Sequence, residues 1–220
     1  MNIEKTNKML IKATKAGDLD KVKEAIKHGA DDFNGALGWA AKYGHIGIVK
    51  LLIKYGANNF NDALRLAAMY GHTEIVEILK HKIIEKTNDM LIEAARAGDL
   101  DKAKEAIRQG ANDFNEALYW AASYGHIVIV ESLIKHGADD FNYALYVAAV
   151  YGRPKVVEIL IKHGANNFNV ALYGAAVYGR PKVVEILIKY GADDFYGALL
   201  KASEHGHPEV VEILKQKIKE

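Results

Sequence analysis

Hydrophobic positions recur along this chain with two periods at once. Over short windows they fall at i, i+3, i+4 and i+7, as in "YALYVAAVY" (143–151) and "KVVEILIKH" (155–163), which predicts short amphipathic helices. Over long distances the whole pattern repeats every 27 residues. Ala13, Ala40, Ala67, Ala94, Ala121, Ala148, Ala175 and Ala202 keep that spacing without a slip, as do eight leucines from Leu10 to Leu199 and eight glycines from Gly17 to Gly206. Scarce residues obey it too: all six Phe share one repeat position, both Trp another and all three Pro a third. A period of this length marks a solenoid or array.

The repeat starting at Asn142 shows how one unit is built. Asn142 is expected to cap a first helix, accepting from free amides of its first turn. Gly152 ends that helix in a left-handed turn, and Pro154 opens a second helix where a missing N–H costs nothing. Val157, Leu160 and Ile161 give the second helix an apolar face, Glu158 and Lys162 can pair on its wet side, and Gly164 stops it. Helices this short are marginal alone, so stacking of neighbouring units on their Ala/Leu faces must supply the core. The expected fold is all-α, a solenoid of eight helix–turn–helix units.

The segments "ALRLAAMYGHTEIVEILK" (63–80) and "IVESLIKHGADD" (129–140) resemble the ankyrin repeat, with its paired short helices, "GH" turn and closing "GAD". The resemblance runs the whole length of the chain, with two departures. Ankyrin repeats usually have about 33 residues, so six are missing here per unit. The "TPLH" signature is replaced by "DALR" (62–65) and "YALY" (143–146), and no room remains for the β-hairpin that this motif braces. The chain is therefore read as a hairpin-less ankyrin-like solenoid. In place of the hairpin, the Phe preceding the Asn is expected to staple onto the first helix and plug the gap between repeats. Alternation of "DD" (31–32, 139–140, 193–194) with "NN" (58–59, 166–167) avoids a ladder of like charges along the loops.

Repeats one and four stand apart from the others. "IEKTN" occurs at 3–7 and again at 84–88, and "ILKHKIIE" (78–85) nearly repeats the final "ILKQKIKE". Thr6 and Thr87 replace Phe, Met9 and Met90 replace Ala, and Glu24 and Glu105 stand opposite Leu51, Ile78 and Ile159; Lys80 and Lys215 replace a buried Ile in repeats three and eight. Polar outward faces are what capping repeats require. The chain thus reads as a three-repeat array, 1–83, joined in phase to a five-repeat array, 84–220, within one continuous solenoid over 1–220. Ile83 and Ile84 take the places of the loop Gly and Ala, so the second helix of repeat three is expected to run on toward Thr87. Near-identical repeats, an in-phase fusion of caps and the absence of cysteine point to a designed or consensus-derived chain.

Composition removes function classes rather than adding them. With 29 Lys+Arg against 28 Asp+Glu there is no basic excess to suggest nucleic acid. No apolar run reaches the length of a membrane span and no signal segment opens the chain, so a cytoplasmic location is the default. Zero cysteines exclude disulfides, thiolate catalysis and zinc–thiolate sites. His45, His72, His126 and His207 follow the turn glycine and are expected to cap second helices; "EHGH" (204–207) is a weak metal motif, and Ser123, Ser132 and Ser203 sit in no catalytic one. No catalytic residue, cofactor or metal is expected.

The individuality of the chain lies in four first-helix positions spaced i, i+3, i+4 and i+7, one stripe opposite the fixed Ala/Leu face. It carries Trp39, Leu66, Met69, Tyr119, Trp120, Tyr143, Tyr146, Val147, Val150 and Tyr173. In ankyrin repeats the corresponding face lines a concave groove for protein targets, and Tyr and Trp dominate interface energetics. The resemblance thus implies non-enzymatic binding of a protein partner through this aromatic face. A structural scaffold without a ligand, or a groove for a peptide or small molecule, is the alternative.

Overall fold

The 27-residue pattern folds into pairs of short antiparallel helices. The computed structural model describes residues 2–220 and holds fifteen helices and no strand among them. They are α1 (Ile3–Ala16), α2 (Leu19–Lys27), α3 (Phe33–Tyr43), α4 (Ile46–Lys54), α5 (Phe60–Met69), α6 (Thr73–Ala97), α7 (Leu100–Arg108) and α8 (Phe114–Tyr124). They continue as α9 (Ile127–Lys135), α10 (Phe141–Val150), α11 (Pro154–Lys162), α12 (Phe168–Val177), α13 (Pro181–Lys189), α14 (Phe195–Glu204) and α15 (Pro208–Lys219). The residues divide into two compact units, Met1–Lys86 and Thr87–Glu220.

Within each unit a first helix packs on its own second helix and on the first helices of neighbouring repeats, such as α8 on α10 and α10 on α12. Alanine makes that approach possible: Ala144, Ala148 and Ala149 of α10 are buried with Leu145. Second helices contribute the larger aliphatics, Val156, Val157 and Leu160 in α11, and the loop adds Ala165. Gly152 ends its helix region at φ 65°, and a Cβ there would lie 2.8 Å from Arg180 Cδ of the next repeat. That turn therefore requires glycine twice, for its conformation and for the side chain packed on it.

Within each unit, two polar bridges join successive repeats. The first runs between loops. Asn142 Oδ1 accepts from the backbone N–H groups of Asn166 (2.8 Å) and Asn167 (3.0 Å), while its Nδ2 donates to Asn166 Oδ1. Asn7, Asn34, Asn88, Asn115 and Asn169 do the same for the loops 24 and 25 residues further on. The second bridge runs between turns and points backwards. The Nε2–H of His72 donates to Lys42 O (2.9 Å), that of His126 to Arg96 O (3.0 Å) and that of His207 to Val177 O (2.8 Å). Arg153 and Arg180 use Nε in the same way on Ser123 O and Val150 O.

These bridges correct two expectations. Asn142 is not the helix cap: α10 begins one residue earlier, at Phe141, and Asp140 caps it by accepting from Tyr143 N–H. Asp is already placed to reach that amide, which leaves the Asn amide free to span the joint. Nor do the histidines cap their helices, since His45, His126 and His207 make no side-chain cap bond. Their rings turn back to the exposed carbonyls ending the preceding first helix, where orphan acceptors need a donor. In the capping repeats one and four, Asp occupies that position and does cap its own helix: Asp18 accepts from Lys21 N–H and Asp99 from Lys102 N–H.

The Phe rings pack against the core as expected of a plug, although only Phe60 is fully buried and the others are half-buried. Phe33 meets Tyr55, and Phe114 and Phe141 meet His136 and His163, each at about 6 Å between ring centres. One joint lacks a loop altogether. Helix α6 runs unbroken through 80–91, past Thr87 to Ala97, serving as second helix of repeat three and first helix of repeat four. No glycine or proline interrupts 73–97, so nothing stops the helix. Residues 85 and 86, where Asn61 would find its loop, lie inside that helix.

This geometry makes three predictions. Asn142→Ala removes an acceptor shared by two amides and should cost about 1–2 kcal/mol in chemical denaturation, whereas Asn61→Ala, which faces no loop, should stay within about 0.5 kcal/mol. Phe141→Ala should cost about 2 kcal/mol, below the range for a fully buried ring because part of the ring is wet. Limited trypsin digestion should spare Lys86; early release of two fragments cut there would contradict an unbroken α6.

Candidate functional site

Since the joints are held at the loop end and the turn end, the outer side of the first helices is left to side chains of the variable stripe. The structure brings the expected residues together in two groups, one in each unit.

In Thr87–Glu220 the centre is an aromatic cluster on α8 and α10. Tyr119 meets Trp120 edge to face at 4.9 Å and stacks on Tyr143 at 5.3 Å. The Trp120 indole lies under the Arg96 guanidinium at 3.7 Å and donates its Nε1–H to Glu116 (2.8 Å). Trp120 is half-buried and packs on the core, whereas Tyr143 is 53% exposed. Burial raises the Tyr119 phenol above the usual tyrosine pKa, with the neighbouring Tyr143 adding to the shift, so the hydroxyl remains a neutral donor at physiological pH.

Beyond the cluster, Tyr146 and Val150 lean over Gly174 of the next first helix. A Cβ at Gly174 would lie 2.9 Å from the Tyr146 ring and 3.0 Å from a Val150 methyl, so glycine there is what seats them. Tyr173 is exposed on the same helix, with Lys201 Nζ 5.8 Å from its ring centre. Glu204 and the Tyr173 ring both hold the Lys201 ammonium above its ordinary pKa.

Val147 is the exception. It is only 4% exposed and belongs to the core. Side chains on this face lean on a residue 28 positions away, as Leu66 does toward Gly38 and Tyr146 toward Gly174. In that register position 147 pairs with position 119, which carries the bulky Tyr119.

In Met1–Lys86, Trp39 is half-buried on α3 and carries Lys15 Nζ over its ring at 3.8 Å, with Lys42 Nζ at 5.2 Å and Tyr43 stacked alongside. Leu66 is half-buried on α5, and Met69 is 63% exposed at the end of that helix.

In each unit, further tyrosines at one repeat position lie at the ends of the first helices and escape the variability argument. Tyr43, Tyr70, Tyr124, Tyr151 and Tyr178 precede the turn glycines and are each about half exposed. Tyr124 stacks on Trp120 and on His126, which ties it to the cluster. Because the residue is nearly the same in every internal repeat, variation between repeats could not find it; its 27-residue spacing could have. Val170 and Leu200 are also exposed on the first helices.

No group of three or more His, Cys, Asp or Glu side chains suited to a metal ion occurs among the described residues. No helix among them is long and apolar enough to cross a membrane. No curated protein matches the chain. The family described as Ankyrin repeats (3 copies) matches residues 5–90 and again 91–171. With helix pairs, glycine turns and a family match over most of its length, this chain belongs to the ankyrin-repeat family.

Proposed function

We propose that the chain is a non-enzymatic binding protein that takes a protein partner on the aromatic first-helix face of Thr87–Glu220. Ankyrin repeats are in general protein-interaction modules, and the observation that supports this particular face is the Trp120–Tyr119–Tyr143 cluster. Its rings touch one another while Tyr143 stays 53% exposed, and Tyr173 lies exposed further along the same face. A core would have no use for an exposed ring, and the repeat-four equivalents of Tyr143 and Trp120 are Asp89 and Glu93, so the fold does not need apolar residues at those two positions. Contacting aromatics that can be desolvated from one side are the usual anchors of interfaces.

The test uses peptides selected from a display library on the full chain. Tyr143→Ala should weaken such ligands by about 2 kcal/mol, near thirtyfold, with the thermal midpoint almost unmoved. Trp120→Ala should lose affinity and stability together, because its ring also packs on the core. Ligands indifferent to Tyr143 and Tyr173 would instead favour a scaffold whose aromatic face serves only its own packing.

A further inference from the structure

The first-helix face of Met1–Lys86 has a chemistry of its own. Lys8, Lys12 and Lys15 line an open depression of about 480 Å³ on α1, and of the two carboxylates in it one offsets Lys8 and the other serves as a helix cap, which leaves Lys12 and Lys15 unpaired. Glu4 pairs with Lys8 at 2.6 Å, and Asp32 caps α3 by accepting from Gly35 N–H. The basic character continues past the first helix. Lys42 stands between the Trp39 and Tyr70 rings, 5.2 Å from each, and Arg65 is exposed on α5. Among the described residues none of Lys12, Lys15, Lys42 and Arg65 makes an ion pair. The stripe's one carboxylate here, Asp62, accepts from Asn59 Nδ2.

Solvation of an end repeat does not explain this choice. Repeat four has the same capping residues, yet where repeat one places Lys8, Lys12 and Lys15 it has Asp89, Glu93 and Arg96. Either sign of charge wets a terminal helix equally well. Lys15 and Lys42, two cations without an ion pair over one indole, repel each other, and a ligand of opposite charge would relieve that.

We infer that this face is a second interaction site, specific for an acidic segment of a polypeptide. Lys12, Lys15, Lys42 and Arg65 supply the attraction, and Trp39 supplies a half-buried apolar anchor. The inference rests on the reading that first-helix faces are the binding surfaces, but it concerns different residues and a different ligand. A peptide fits better than a nucleic acid because the patch is short: three helices at about 8–10 Å spacing match some six extended residues.

The probe is a fluorescent peptide of about twelve residues alternating Asp or Glu with Leu, titrated against the full chain at about 50 mM salt, where screening is weak. Binding should be saturable and should fall at least tenfold in the Lys12→Gln, Lys15→Gln double variant. The control double variant Lys182→Gln, Lys189→Gln removes the same charge from exposed second-helix positions and should stay within about twofold of the parent. Tyr143→Ala should leave this peptide unaffected, which separates failure here from failure of the aromatic site. Equal losses in the two double variants, no saturable binding, or tighter binding of an oligothymidylate of equal charge would each overturn the proposal. Unchanged circular dichroism melting of the variants excludes unfolding as the cause.

Discussion

One asparagine side chain reaching across to the next loop is the interaction on which this shortened repeat depends. Each loop turns through backbone N–H groups that no hairpin pairs, and unpaired amides at a packed joint would cost free energy at every repeat. Asn142 meets the need with one oxygen shared by two amides and one donated hydrogen bond, and the same device recurs along both units. The His or Arg bridge does the matching work at the turn end, quenching a helix C-terminal carbonyl. Between the two, Ala and Leu close the core.

Holding the joint at its ends has a functional consequence. The side chains at the variable positions take no part in the Asn and His/Arg bridges, to which the last position of each stripe lends only its backbone carbonyl, so those bridges persist when the side chains change from repeat to repeat. That freedom is visible in the two units: an aromatic cluster around Trp120 in one, and lysines around Trp39 in the other. Val147 is the exception, a variable position that the core has taken in.

The helix pairs, their core faces and the run-on at Ile83–Ile84 were legible from the sequence because burial by neighbours of the same kind repeats every 27 residues. The bridges were not. An Asn beside a Phe at a helix start looks like a cap, and nothing in its local sequence reveals a partner 24 residues away. His after the turn glycine misled in the same way, since its acceptor lies 30 residues back. Exposure of the stripe was beyond reach because it depends on which pairs of side chains meet between repeats: Gly174 makes room for Tyr146, while Val147 ends up buried. The alternation of Asp and Asn in the loops reads differently once the bridges are known, for either residue offers the oxygen that the Asn amide needs, as Asp139 and Asn166 do.

Amide hydrogen exchange measured residue by residue tests the central claim that these side chains hold the joints independently of the first-helix face. In the parent chain the N–H groups of Asn166 and Asn167 should exchange slowly despite lying in an exposed loop. Asn142→Ala should release those two amides first, whereas Tyr143→Ala should leave them protected. Fast exchange of both amides in the parent, or protection that survives the loss of Asn142, would contradict the account.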